Sequence, residues 1–231
     1  MLGIIVQLSI SWLLIWLIEI GNLSFLGLFP TPKRLLDFFL FFILTSFCCA
    51  SGFLLRIYFG NETWVLNESL TPTFILNGIW WNIKSVLFEE LTFRGVLFYF
   101  LIKKLGNKKA ILISSIAFGI YHWFSQEVFG NVSQMLFTFV LTGIMGMIYA
   151  YGYTKTSSLF VPCAIHLGWN FTQGFIFSQG AIGNGILVLL KNQPDVTVSY
   201  LIYFTILLTP ILSAWMLNFL ILWQRKEIQT N

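Results

Sequence analysis

Apolar runs long enough to approach the width of a bilayer follow one another along almost the whole chain, separated only by short polar breaks. A hydrocarbon core about 30 Å thick takes roughly 20 apolar residues of helix. Seven runs come near that length: 3–20, 36–58, 74–102, 110–124, 135–153, 159–178 and 198–223. Charged residues make up 10% of the 231 positions, where a soluble domain carries about 25%. A surface so poor in charge must face lipid. Backbone in lipid has to satisfy its own hydrogen bonds, which helices do. The pattern therefore predicts an all-α integral membrane protein, a bundle of about seven (six to eight) transmembrane helices in one membrane domain over 1–231. The segment 181–190 is too short to span and is expected to be re-entrant. Residues 1–9 lack the basic start of a secretory signal, so the first run reads as a span and not as a cleaved leader.

The breaks carry a charge asymmetry. One set holds Lys33, Arg34, Lys103, Lys104, Lys108, Lys109, Lys155, Arg225 and Lys226; the other holds Lys191, Arg56, Glu62, Glu68, Glu127 and Asp195. With seven spans these sets fall on opposite sides, and the positive-inside rule puts the C-terminus in the cytoplasm. The net charge of +4 is thus distributed among topology-setting loops and predicts no nucleic-acid partner. Cys48 and Cys49 are adjacent and Cys163 is isolated, which is neither a disulfide framework nor metal-ligand spacing.

The third run breaks the apolar rule. It contains Lys84, Glu89, Glu90 and Arg94, and each charge at the middle of a spanning helix costs about 2.5–3.5 kcal/mol on insertion scales. Lys84 can snorkel toward an interface. The other three are flanked by Leu, Phe and Val and must face the bundle interior. Glu90 and Arg94 are four residues apart on one helical face, the spacing of an ion pair. A structural pair accounts for them but leaves Glu89, rotated by about 100° from Glu90, to be protonated, metal-bound or chemically used.

Both histidines of the chain, His122 and His166, also lie inside predicted spans. Glu89 is 14 residues before Lys103, His122 is 13 after Lys109, and His166 and Asn170 are 11 and 15 after Lys155. At about 1.5 Å per residue these separations place all four roughly 16–23 Å from one surface. Asn170 shares a helical face with His166. Three helices therefore present polar groups in one layer. A carboxylate beside an imidazole in a low-dielectric pocket suits the activation of water, and donors on a common face suit the oxyanion of a tetrahedral intermediate. Cys163 lies about 80° around its helix from His166 and is a poor nucleophile candidate. Glu89, His122 and His166 also form a possible Zn²⁺ ligand set with one open position, although no H-E-x-x-H is present. Metal-dependent and metal-free routes both remain open at this point. Pro162, one turn before His166, is expected to kink that helix.

Glu89-Glu90-Leu91-Thr92-Phe93-Arg94-Gly95 reads E-E-x-x-x-R-G, Phe118 to His122 reads F-x-x-x-H, and His166 to Asn170 reads H-x-x-x-N. In this order, over 85–170, the motifs resemble the CPBP family of intramembrane proteases, which includes the CAAX prenyl endopeptidase and bacteriocin-processing or immunity relatives. The resemblance implies a peptidase in which Glu89 and His122 activate water and His166 and Asn170 form the oxyanion hole. Glu90 and Arg94 then support the site, and Phe118 packs under His122. The motif-bearing core is expected over about 74–178. The compact length is that of prokaryotic members, which implies a bacterial cell membrane and a membrane-embedded or lipid-anchored peptide substrate, with a prenyl group not expected. The rival within the same fold is a non-catalytic immunity or scaffold protein. A transporter ranks last, because no inverted repeat is visible.

Overall fold

The computed structural model describes residues 1–179, 185–190 and 196–225. Among them are eight α-helices: α1 (Leu2–Glu19), α2 (Pro32–Gly60), α3 (Pro72–Arg94), α4 (Val96–Leu105), α5 (Asn107–Ser125), α6 (Val132–Thr156), α7 (Phe160–Asn170) and α8 (Tyr200–Trp223). A π-helical turn, Phe171–Ile176, continues α7. A short antiparallel ribbon pairs β1 (Trp64–Leu66) with β2 (Leu187–Leu189), in the register Val65 opposite Val188.

Local chemistry starts these helices where the chain leaves its loops. Thr31 and Thr71 each precede a proline at the first helical position, and their hydroxyls accept from the amides of Arg34 and Phe74. A side-chain acceptor at the cap and a proline at the first position both suit a helix N-terminus. Asn131 and Ser199 cap α6 and α8 in the same way.

Among the described residues, four helices are long and apolar enough to cross a membrane: Leu2–Glu19, Pro32–Gly60, Val132–Thr156 and Tyr200–Trp223. This is consistent with a membrane-embedded protein, but it is fewer than the six to eight spans expected. Three expected spans differ for physical reasons. The run 74–102 is not one helix: it breaks at Gly95, whose ψ of −142° takes the backbone out of the helical region between α3 and α4. A Cβ there would run into the carbonyl oxygen of Leu91. The α3 piece is long but holds the four ionisable residues, while α5 opens on Lys108 and Lys109. The run 159–178 is 11 residues of α7 followed by the wider π turn. Pro162 lies in the first turn of α7, where its missing N–H breaks no helical bond, so the expected kink is not made there. Of the segment expected to be re-entrant, 181–184 lies outside the described residues and 187–189 forms the ribbon strand.

The main core joins α2, α5, α6, α7 and α8 through Phe41, Phe118, Ile148, Tyr149, Ile165 and Leu222. A second core, with Leu26, Leu91, Phe98 and Tyr153, ties the α3–α4 break to α6. Polar contacts collect several loops at one end of the bundle. Lys103 pairs with Glu19 at 2.8 Å, Tyr153 donates to the carbonyl of Phe25, and Arg225 pairs with Asp37 at 2.7 Å. At the opposite end Arg56 pairs with Glu62 at 2.7 Å beneath the ribbon. Lys191, Asp195 and Lys226, used in the charge-asymmetry argument, lie outside the described residues.

Candidate active site

Glu90 and Arg94 sit in the last turns of α3, just before the Gly95 break, and both side chains are wholly buried. Arg94 Nη1 donates to Glu90 Oε1 at 3.0 Å, and Nη2 donates to the carbonyl of Gly146 on α6 at 2.8 Å. The guanidinium lies 4.5 Å from the ring centre of Phe118 and 5.3 Å from that of Tyr149. A Cβ at Gly146 would come within 3.0 Å of both Nη2 and Phe118, so glycine admits the arginine. A lone buried charge would be costly; here one carboxylate, one carbonyl and the rings of Phe93, Phe118 and Tyr149 surround it.

The same Glu90 oxygen lies 2.7 Å from Nδ1 of His166 on α7. Paired to Arg94, Glu90 is ionised and accepts only, so His166 carries its proton on Nδ1. Nε2 is then a lone pair, and Asn170 Nδ2 donates to it at 3.1 Å. His122 on α5 repeats the logic. Its Nδ1 is 2.8 Å from the carbonyl of Phe118, which can only accept, so the neutral ring also turns a bare Nε2 outward. Phe118 packs against both imidazoles, with ring centres 4.4 Å from His122 and 5.7 Å from His166.

Glu89 meets these two nitrogens. Its Oε2 is 3.9 Å from His122 Nε2 and 3.8 Å from His166 Nε2, beyond direct hydrogen bonding. Glu89 and His122 keep 13% and 12% of their side chains exposed, where Glu90 and Arg94 keep none. One carboxylate is sealed; the other keeps slight exposure, with its Oε2 buried and without a hydrogen-bond partner. A cavity of about 1030 Å³ is lined by His122, His166 and Asn170; Glu89 is not part of its lining.

All six residues singled out in the sequence are thus brought together. Cys163 packs instead beside the second core, among Leu26, Leu91 and Ala150. Tyr149 stacks on His166 with centres 4.7 Å apart and planes 14° apart. No local signal separates it from Tyr151 and Tyr153, which follow on the same helix.

Two histidines and a glutamate are suitable donor types for zinc. Ligands about 2.0–2.2 Å from one tetrahedral ion stand roughly 3.3–3.5 Å apart, while Glu89 stands 3.8 and 3.9 Å from the two nitrogens. The lone pair of His166 Nε2 is also engaged by Asn170. Among the described residues no group of three or more His, Cys, Asp or Glu is arranged to hold a metal ion. As placed, Glu89 stands farther from both nitrogens than a tetrahedral zinc holds its ligands from one another.

Residues 70–172 match the family described as Type II CAAX prenyl endopeptidase Rce1-like. Residues 70–172 are therefore similar to that family, consistent with the broad CPBP resemblance. The span contains α3 to α7 and every residue of the cluster. No curated protein and no solved structure matches the chain.

Proposed function

We propose that the protein is an intramembrane endopeptidase that hydrolyses a peptide bond of a membrane-embedded or lipid-anchored substrate with a water activated by Glu89 and His122. The observation that carries this reading is the meeting of Glu89 Oε2 and His122 Nε2 at 3.9 Å, two acceptors too far apart to bond each other. A water about 2.8 Å from each donates one hydrogen to each. Glu89 takes the proton as the water oxygen attacks the scissile carbonyl, then returns it to the leaving nitrogen. Asn170, with a second amide hydrogen, stabilises the oxyanion. Glu90 beneath Nδ1 holds the His166 ring in place, as a buried carboxylate orients the histidine of a hydrolase triad, and His166 Nε2 in turn positions the Asn170 amide. Glu90 and Arg94 remain a structural brace. No metal takes part in this scheme.

The same reading makes α3, α5 and the α7–π segment part of a multi-pass bundle with the four apolar helices, the exposed faces of α3 (Leu76, Trp80) and α5 (Leu112, Ile116) meeting lipid themselves. The basic loops gathered at one end then lie in the cytoplasm together with the C-terminus, in a bacterial cell membrane. The Rce1-like match supports a peptidase of this general type; the substrate assignment rests on the membrane setting of the site.

The test is cleavage by purified, reconstituted protein, comparing wild type with Glu89→Gln and with added chelator. Chelator-resistant cleavage that is lost in Glu89→Gln is the expected result. Normal processing by Glu89→Gln would overturn the scheme. If the variants instead leave a protection phenotype intact wherever the protein accumulates, the non-catalytic immunity or scaffold reading takes its place.

A further inference from the structure

The cavity beside the site has a second wall that the proposed chemistry leaves unused. It is built by one stripe of α6 (Phe137, Leu141, Met145) and one of α8 (Tyr203, Leu207, Pro210). Both sets follow helical spacing, so each is one face of its helix. The two helices are joined at their C-terminal ends. Tyr151 stacks on Phe219 with centres 5.2 Å apart, and Lys155 Nζ donates to the carbonyl of Arg225 at 3.1 Å. Toward their N-terminal ends both faces line the cavity. Phe137 is 50% and Tyr203 53% exposed although both line it, so the cavity reaches the exterior between these helices. Both residues lie within helices apolar enough to cross the membrane. The pair forms a fork, closed at one end and open at the other.

Resting on the peptidase reading above, we infer that an unwound apolar segment of a membrane-anchored polypeptide enters the site sideways through the fork between α6 and α8. The lining selects this occupant over a hydrocarbon chain. Gln126, Thr138, Thr142 and Gln173 face the same cavity as the apolar stripes. A lipid tail has no use for four hydrogen-bonding side chains, whereas a peptide pulled out of its helix within the bilayer must find partners for its bare N–H and C=O groups. The lining cation Arg56 is held by Glu62 and Gln179, so the cavity does not present a free positive charge there to a phosphate headgroup. The cavity is also continuous with His122, His166 and Asn170, which brings a segment lying in the fork alongside the site.

The experiment separates binding from catalysis. A photo-crosslinking phenylalanine derivative is placed at Phe137 or Tyr203 in a Glu89→Gln background, with Trp12 on α1 as the lipid-facing comparison, and the protein is reconstituted in vesicles. The probe is a fluorescent synthetic single-span peptide whose apolar helix is interrupted by Gly-Pro. Severalfold greater labelling at Phe137 and Tyr203 than at Trp12, lost with Leu141→Trp and competed by unlabelled peptide, is the expected result. Equal labelling at all three positions overturns the inference, as does preferential labelling by an acylated or prenylated short peptide that has no span. Leu141→Trp is accepted only if its thermal unfolding matches the parent; otherwise Leu207→Trp takes its place. Because no turnover is needed, failure of cleavage sinks the peptidase reading while leaving the fork measurable.

Discussion

Glu90 Oε1 is shared by two donors, Arg94 Nη1 at 3.0 Å and His166 Nδ1 at 2.7 Å. One carboxylate oxygen therefore anchors a helix-internal ion pair and also sets which nitrogen of a neighbouring imidazole is bare.

That sharing gives a substrate-free prediction. The chain has only two histidines, so ¹⁵N-histidine labelling yields two imidazoles to assign. Both are expected to carry a proton on Nδ1, which faces the Phe118 carbonyl in His122 and Glu90 in His166. Glu90→Gln is expected to perturb the His166 ring and leave His122, bonded to the Phe118 carbonyl, unchanged. An Nε2-protonated neutral ring at either position would contradict the placement.

The buried pair is expected to be costly to halve. Glu90→Gln or Arg94→Met alone should lower stability by about 3–5 kcal/mol, because each leaves a charge without its partner. The double variant should lose less than the sum of the two singles, read by thermal unfolding in detergent. Arg94→Lys should not rescue, since one ammonium cannot reproduce the fork that spans Glu90 and the Gly146 carbonyl. Additive losses would show that the two residues act separately.

For catalysis, Glu89→Gln is expected to lower kcat roughly 10²- to 10⁴-fold while the protein still inserts and accumulates. Asn170→Ala should cost about 10²–10³ in kcat, the usual effect of removing one oxyanion donor. Cleavage should persist in chelator. Loss of activity in chelator, with recovery on adding zinc, would mean that Asn170 releases His166 Nε2 in the working enzyme.

Gly95→Ala tests the break in the third apolar run. Its Cβ would meet the Leu91 carbonyl, so a loss of about 1–3 kcal/mol is expected, in line with overpacking at a tight site. An unchanged unfolding midpoint would show that α3 and α4 can join into one helix.

The residues that became the site were legible because charge is so unfavourable in lipid. Glu89, Glu90 and Arg94 stood out from an apolar run, and counting from the basic loops put His122, His166 and Asn170 at their depth. The helical character and the single-face pairing of Glu90 with Arg94 followed from composition and spacing. The division of the third run did not, because Leu, Phe and Val continue through Gly95 and hydropathy does not register one backbone angle. Tyr149 was hidden for a related reason: an aromatic ring on an apolar helix carries no mark of what it will stack upon. The bond from His166 to Glu90 joins residues 76 positions apart, a separation that no local pattern encodes.

The break at Gly95 also bears on how freely this chain can vary. In an uninterrupted helix, one residue inserted between Arg94 and Lys103 would turn Glu89 by about 100° relative to the basic loop that anchors the segment. With α3 and α4 separate, rotational phase is not transmitted across the joint. The α4 segment and the loop after it can change in length and register while Glu89 keeps its bearing on the two imidazoles.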